Sequence, residues 1–121
     1  MDAAAPLVPM PESRVVQWLL AFALTQLIEV PIYAFAHRRP HRLLKAFGAS
    51  AITHPVVWWV IPYIWPGGYW SLVAVSEAFA FAAEAAYTRA FRVPHAWAWS
   101  LLANSASCGA GFLVYRLLGW W

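Results

Sequence analysis

Four apolar runs, about 15 to 36, 46 to 65, 70 to 88 and 96 to 118, take up most of this chain. A helix rises 1.5 Å per residue, so about 20 residues cross a ~30 Å hydrocarbon core, and each run has that length. Unpaired backbone groups in lipid cost several kcal/mol each, which restricts spanning segments to helices or closed barrels. Four runs of this length are not short alternating strands. The expected fold is all-α, an integral membrane four-helix bundle forming one domain over residues 1–121. Composition excludes an ordinary soluble domain: 63% of the 121 residues are hydrophobic and 11% charged, against roughly 25% charged in soluble proteins.

The few basic residues set an orientation. Arg38, Arg39, Arg42 and Lys45 follow the first run, Arg89 and Arg92 follow the third, and Trp65-Pro66-Gly67-Gly68 between the second and third has no charge. By the positive-inside rule, loops 37–45 and 89–95 face the cytoplasm and both termini lie outside, in a bacterial inner membrane. Six basic residues divided between two short turns are an orientation signal, so nucleic acid is not an expected partner. The start, Met1-Asp2-Ala3-Ala4-Ala5-Pro6, lacks the basic segment of a signal peptide, and the first run is read as retained. Cys108 is the single cysteine, which excludes an internal disulfide or cysteine cluster. Trp18, Trp65, Trp70, Trp97, Trp120 and Trp121, near helix ends, suit an interfacial aromatic belt, whereas Trp58 and Trp59 are expected to pack.

The chain also resembles itself. Glu29, Tyr33, Arg38, Pro40-His41, Ser50 and His54 recur in order as Glu84, Tyr87, Arg92, Pro94-His95, Ser100 and Asn104, with a gap of four residues after Pro-His. Two tandem helical hairpins, a parallel internal repeat, would share one orientation about an axis along the membrane normal.

Three of the five acids, Glu29, Glu77 and Glu84, fall inside the apolar runs, where a charge costs at least ~2.5 kcal/mol. Glu29 and Glu84 each lie about 21 Å from the outer ends of their runs, and His54 and Asn104 each about 12 Å from the inner ends. Glu29, His54, Glu84 and Asn104 are thus expected to form one polar layer with a residue from every helix. Tyr33 and Tyr87 would be supporting partners, and Glu77, about 10 Å nearer the outside, a second step. Such a layer suits a cation, a proton or a cationic group; the alternative is a neutral hydrogen-bonded network that glues helices together. A divalent metal is the cofactor the set would take, with Glu29, His54 and Glu84 as candidate ligands. No His-Glu-x-x-His or Glu-x-x-His pair supports it, His37, His41 and His95 lie at the cytoplasmic edge, and Ser105 and Ser107 lack the signature of a nucleophile.

Pro31, beside Glu29, and Pro55, beside His54, remove backbone donors next to the layer, and Pro62 bends the second run again. Ala74, Ala78, Ala82 and Ala86 form one ridge of small residues, and Ala103, Ser107 and Gly111 another. These are packing surfaces for membrane lipid, a second copy or a partner membrane subunit. In size, number of runs and a glutamate in the first, the chain resembles small multidrug transporters. Glu29 lies toward the opposite end of its helix from theirs, so the likeness is one of architecture alone. The leading expectation is binding, and on that basis conduction, of a cation or proton-coupled solute. A non-catalytic stabilising subunit of a membrane complex stands second, and an intramembrane metal-dependent enzyme third.

Overall fold

The computed structural model describes residues 11–38 and 40–119. It is all-helical, with no strand among the described residues: α1 Arg14–Ala36, α2 Arg42–Trp59, the single turn α3 Ile61–Ile64, α4 Tyr69–Ala90 and α5 Ala96–Leu118. The readings made for Arg39, Trp120, Trp121 and the first ten residues lie outside the described residues.

Local chemistry explains the boundaries. Ser13 caps α1, its hydroxyl accepting from the Val16 amide at 3.4 Å. Pro31 and Pro55 sit inside α1 and α2 without ending them, whereas Pro62 does break its helix. Its ring cannot donate and clashes with the carbonyl four residues earlier. The second apolar run is accordingly a helix to Trp59, a break at Val60 and one further turn.

The carbonyl released is that of Trp58, and the Arg14 guanidinium donates to it at 2.6 Å. The same guanidinium lies 5.3 Å from the ring centres of Trp58 and Trp59 and 5.8 Å from that of Tyr63. Replacing Arg14 by leucine removes this clasp and should cost about 1 kcal/mol, the scale of one exposed charged hydrogen bond with a cation–π contact. Thermal unfolding in detergent checks it, with Arg14→Lys falling between the two.

The four long helices close into a ring. α1 packs against α2 and α5, and α4 packs against the same two, leaving α1 and α4 on one diagonal and α2 and α5 on the other. The finish of α1, the start of α2 and the loop 91–95 share one end of the bundle, the hairpin end; the start of α1, the start of α4 and the finish of α5 share the other, the terminus end. At the hairpin end, His41 and His95 both take the left-handed conformation, with φ of 63° and 54°. Each precedes its helix, its carbonyl accepting from Lys45 N at 3.0 Å and Trp99 N at 3.2 Å respectively.

Where α2 crosses α4, the approach depends on Gly48. A Cβ there would run into the hydroxyl and ring of Tyr87, whose Oη donates to the Lys45 carbonyl at 2.9 Å. Gly48→Ala should destabilise by about 1–3 kcal/mol, the usual cost of overpacking. Adding Tyr87→Phe, which deletes the colliding oxygen, should recover much of the loss in the same melting assay.

Polarity is distributed inside out. The largest fully buried side chains among the described residues are Tyr33, Glu29, Glu84, Thr88, Ser50 and Ser100, while Leu27 is 72% and Phe35 81% exposed and Leu43, Leu44, Ile52, Leu101 and Leu113 are also on the surface. By length and hydropathy α1 and α5 are able to cross a membrane. α2, with Arg42 and Lys45, and α4, with Glu77, Glu84 and Arg89, are not among the helices that pass the same measure.

Candidate functional site at the bundle axis

Helical phase brings four polar faces to the axis. α1 turns Gln26, Glu29 and Tyr33 inward, α2 turns Ala46, Ala49, Ser50 and Thr53, α4 turns Ser76, Ala80, Glu84 and Thr88, and α5 turns Ala96, Ser100, Ala103 and Asn104. The small residues of α2 and α5 let the diagonal pair approach, so that Glu29 and Glu84 reach toward each other from opposed helices.

Ser50 joins them. Its Oγ donates to Glu29 Oε2 and lies 3.5 Å from Glu84 Oε1. Thr53 Oγ1 donates to Glu84 Oε2 at 3.3 Å, and Ser107 Oγ donates to Glu29 Oε1 at 2.6 Å. Asn104 and Tyr33 stand beside Glu84, and the Asn104 amide is anchored by donating to the Ser100 carbonyl at 2.9 Å. Both glutamates are 1% exposed. Their hydrogen-bond partners among the described residues are hydroxyls, and none carries a positive charge.

A cavity of about 490 Å³ runs from this pair toward the terminus end. Glu29, Glu84, Ser50, Thr53, Asn104 and Ser107 form its floor. His54, Trp58, Tyr69, Phe112 and Tyr115 contribute aromatic walls, Glu77 and Cys108 lie along it, and Arg14 lines its outer part. On the hairpin side the floor is closed by Tyr33 packed with Ala46, Ala49 and Ala103.

Of the residues singled out in the sequence, Glu29, Glu84, Asn104 and Tyr33 come together. His54 lines the same cavity but does not join the carboxylates. Its Nε2 is 3.4 Å from Thr25 Oγ1, and its ring packs against Phe22 and Trp58 at 5.3 and 6.2 Å. α2 begins at Arg42, one turn before the apolar run that starts at Ala46, so the residue level with Glu29 is Ser50, and His54 lies about 6 Å farther out. The trio Glu29, His54 and Glu84 is therefore not assembled as a metal site, and no three His, Cys, Asp or Glu side chains among the described residues are grouped to hold an ion.

Glu77 is half-buried beside Cys108 in the cavity wall, one step of about 10 Å along α4 from Glu84. Tyr87 does not support the pair. At three residues from Glu84 it is rotated toward α2, while Thr88, at four, faces the interior. Ser50, Thr53 and Ser107 are the carboxylate partners that inspection of ionisable residues passes over. The signal for them is their spacing: Ser50 and Thr53 lie three apart and Asn104 and Ser107 three apart, each pair on one helical face. No protein-family model, curated protein or solved structure matches this chain.

Proposed function

We propose that this protein spans the membrane four times and binds an organic cation at Glu29 and Glu84, admitted through the aromatic-lined cavity. One observation carries the reading: two glutamates from diagonal helices, each 1% exposed, meet through a single serine hydroxyl, with no cationic side chain among their hydrogen-bond partners in the described residues. Glutamine would make equivalent neutral bonds at lower cost in lipid, so carboxyl groups in this position favour a positive ligand. The cavity has the 300–1,000 Å³ typical of small-molecule sites, and aromatic faces attract a quaternary or protonated amine as it passes.

The inside-out polarity supports the membrane setting. Ser50 and Thr53 of α2 and Ser76, Glu84 and Thr88 of α4 are buried, and the exposed positions along the middle of these helices carry phenylalanine, isoleucine and alanine. The basic loops then place the hairpin end in the cytoplasm of a bacterial cell and the cavity mouth outside. Ala74, Ala78, Ala82 and Ala86 are exposed on α4, which favours association with a second copy or a partner subunit.

A duplicated hairpin also finds support, with a pairing that needs a gap of one residue. Glu29 corresponds to Glu84, His41 to His95, Ala49 to Ala103, Ser50 to Asn104 and Thr53 to Ser107, at offsets of 54 or 55 residues. The two hydroxyls of the last pair cross over: Thr53 of the first hairpin bonds Glu84 of the second, and Ser107 of the second bonds Glu29 of the first.

Titrating benzyltrimethylammonium into the protein in lipid nanodiscs, followed by tryptophan fluorescence and calorimetry, tests the reading. Saturable binding that weakens as pH falls is expected, because protons compete for the same carboxylate oxygens. Absence of saturable binding would overturn it.

A further inference from the structure

Beneath the closed floor lies a second set of polar atoms that ligand binding does not use. Tyr33 Oη, Thr88 Oγ1 and both ring nitrogens of His37 are buried without a hydrogen-bond partner among the described residues. Tyr33 and Thr88 are fully buried and His37 is 5% exposed. A buried polar atom left dry costs about 1–3 kcal/mol, and such atoms are held by protein or by ordered water in nearly all native structures.

These atoms follow one another along the bundle. Tyr33 stands beside Glu84 and Ser100 without closing a hydrogen bond to either, and its ring centre is 6.5 Å from that of His37, one turn on. Thr88 lies one turn beyond Glu84, between Tyr87 and Phe91, whose rings meet His37 edge-on at 6.4 and 5.5 Å. His37 follows the last residue of α1 at the edge of the basic loop. Among the described residues, Lys45 of α2 is the charged group facing it, with its ammonium 5.1 Å from the Phe91 ring centre, and Tyr33 and Tyr87 are its other titratable neighbours. Burial, and after it the Lys45 ammonium, pushes His37 below the ordinary histidine range, so the ring is neutral at pH 7 with one nitrogen free to accept.

We infer that Glu84, Tyr33, Thr88 and His37 form a water-linked proton route from the glutamate pair to the hairpin end, through which a cation bound from the cavity displaces a proton to the opposite face. The route rests on the reading of the glutamate pair as the ligand site. In each transfer a proton leaves the Glu84 carboxyl oxygen for Tyr33 Oη as the tyrosine's own proton moves to bridging water. Thr88 orders that water, and His37 takes a proton on one nitrogen while releasing one from the other. The alanine packing of Ala46, Ala49 and Ala103 around Tyr33 excludes the larger cation from the same path.

The test is pH-gradient-driven proton uptake into liposomes holding the full chain and an internal pH dye, with the potential clamped by potassium and valinomycin. The wild type is expected to conduct well above protein-free liposomes, and Tyr33→Phe, Thr88→Val and His37→Leu each to lose at least tenfold. Benzyltrimethylammonium binding should stay within about threefold of wild type in Thr88→Val and His37→Leu, which also reports that they are folded. Wild-type flux at the protein-free level, or undiminished flux in folded variants, overturns the route and leaves the ligand site standing. Variant-sensitive flux without ligand binding overturns the ligand site and leaves the route.

Discussion

Replacing Glu29 and Glu84 together by glutamine should weaken benzyltrimethylammonium binding at least about 100-fold and shift the melting temperature by no more than a few degrees. Two unit charges about 4 Å apart interact by about 4 kcal/mol at an effective dielectric constant of 20, and a 100-fold loss corresponds to about 2.7 kcal/mol. Removing both carboxylate charges therefore exceeds what the expected loss requires, even after desolvation takes a share. Stability should hold because each glutamine keeps one carbonyl oxygen to accept from a hydroxyl and its amide can donate to the other, Ser50, Thr53 and Ser107 being able to rotate and accept where they donate now. Single substitutions should fall between wild type and the double variant. If the double variant binds as well as wild type, the pair is helix glue; in that case Glu29→Ala and Glu84→Ala should instead lower the melting temperature, since together they take from Ser50 both of its carboxylate acceptors.

The second large effect is expected at Tyr33→Ala. Tyr33 is fully buried at the centre of the packed cluster with Ala46, Ala49 and Ala103. Truncating a buried aromatic ring leaves a cavity that typically costs about 3–5 kcal/mol, and here small alanines on the neighbouring helices cannot reach across to fill it. The same truncation removes the barrier between the cavity floor and the hairpin end. Thermal unfolding in detergent should show the loss, and liposomes should release entrapped benzyltrimethylammonium through the variant but not through wild type. A variant that melts like wild type and stays tight would mean that Tyr33 is not the closing element. Tyr33→Phe keeps the ring and should remain sealed to the organic cation, so plug and proton route are separable at one position.

The helical architecture and most of the site's membership were legible because both follow from one-dimensional pattern. Apolar runs of helical length leave few alternatives to helices, and carboxylates placed mid-run must turn away from an apolar exterior. Glu29, Glu84 and Asn104 could therefore be paired by depth alone. His54 could not, because its depth depends on where α2 begins, and the basic turn from Arg42 to Lys45 is helical although it lies outside the apolar run. That one-turn error exchanged His54 for Ser50, and with it an imidazole for a hydroxyl. Tyr87 was misplaced for a related reason: three residues and four residues from Glu84 both count as neighbours on a helix, but they point to opposite sides of the interhelical line, and only packing chose Thr88 for the interior.

By itself the sequence determined that the chain is helical, that three of its five acids lie within apolar segments and that six of its eight basic residues gather at one end, because length, hydropathy and charge placement need no partner to be read. The tertiary structure alone decided that the two glutamates belong to diagonal helices and meet through Ser50, that the space beside them opens toward the terminus end, and that Tyr33 closes the other side. Those facts depend on which helices are neighbours and how each is rotated, and a repeat of 3.6 residues constrains the face of a helix without naming the helix it will face.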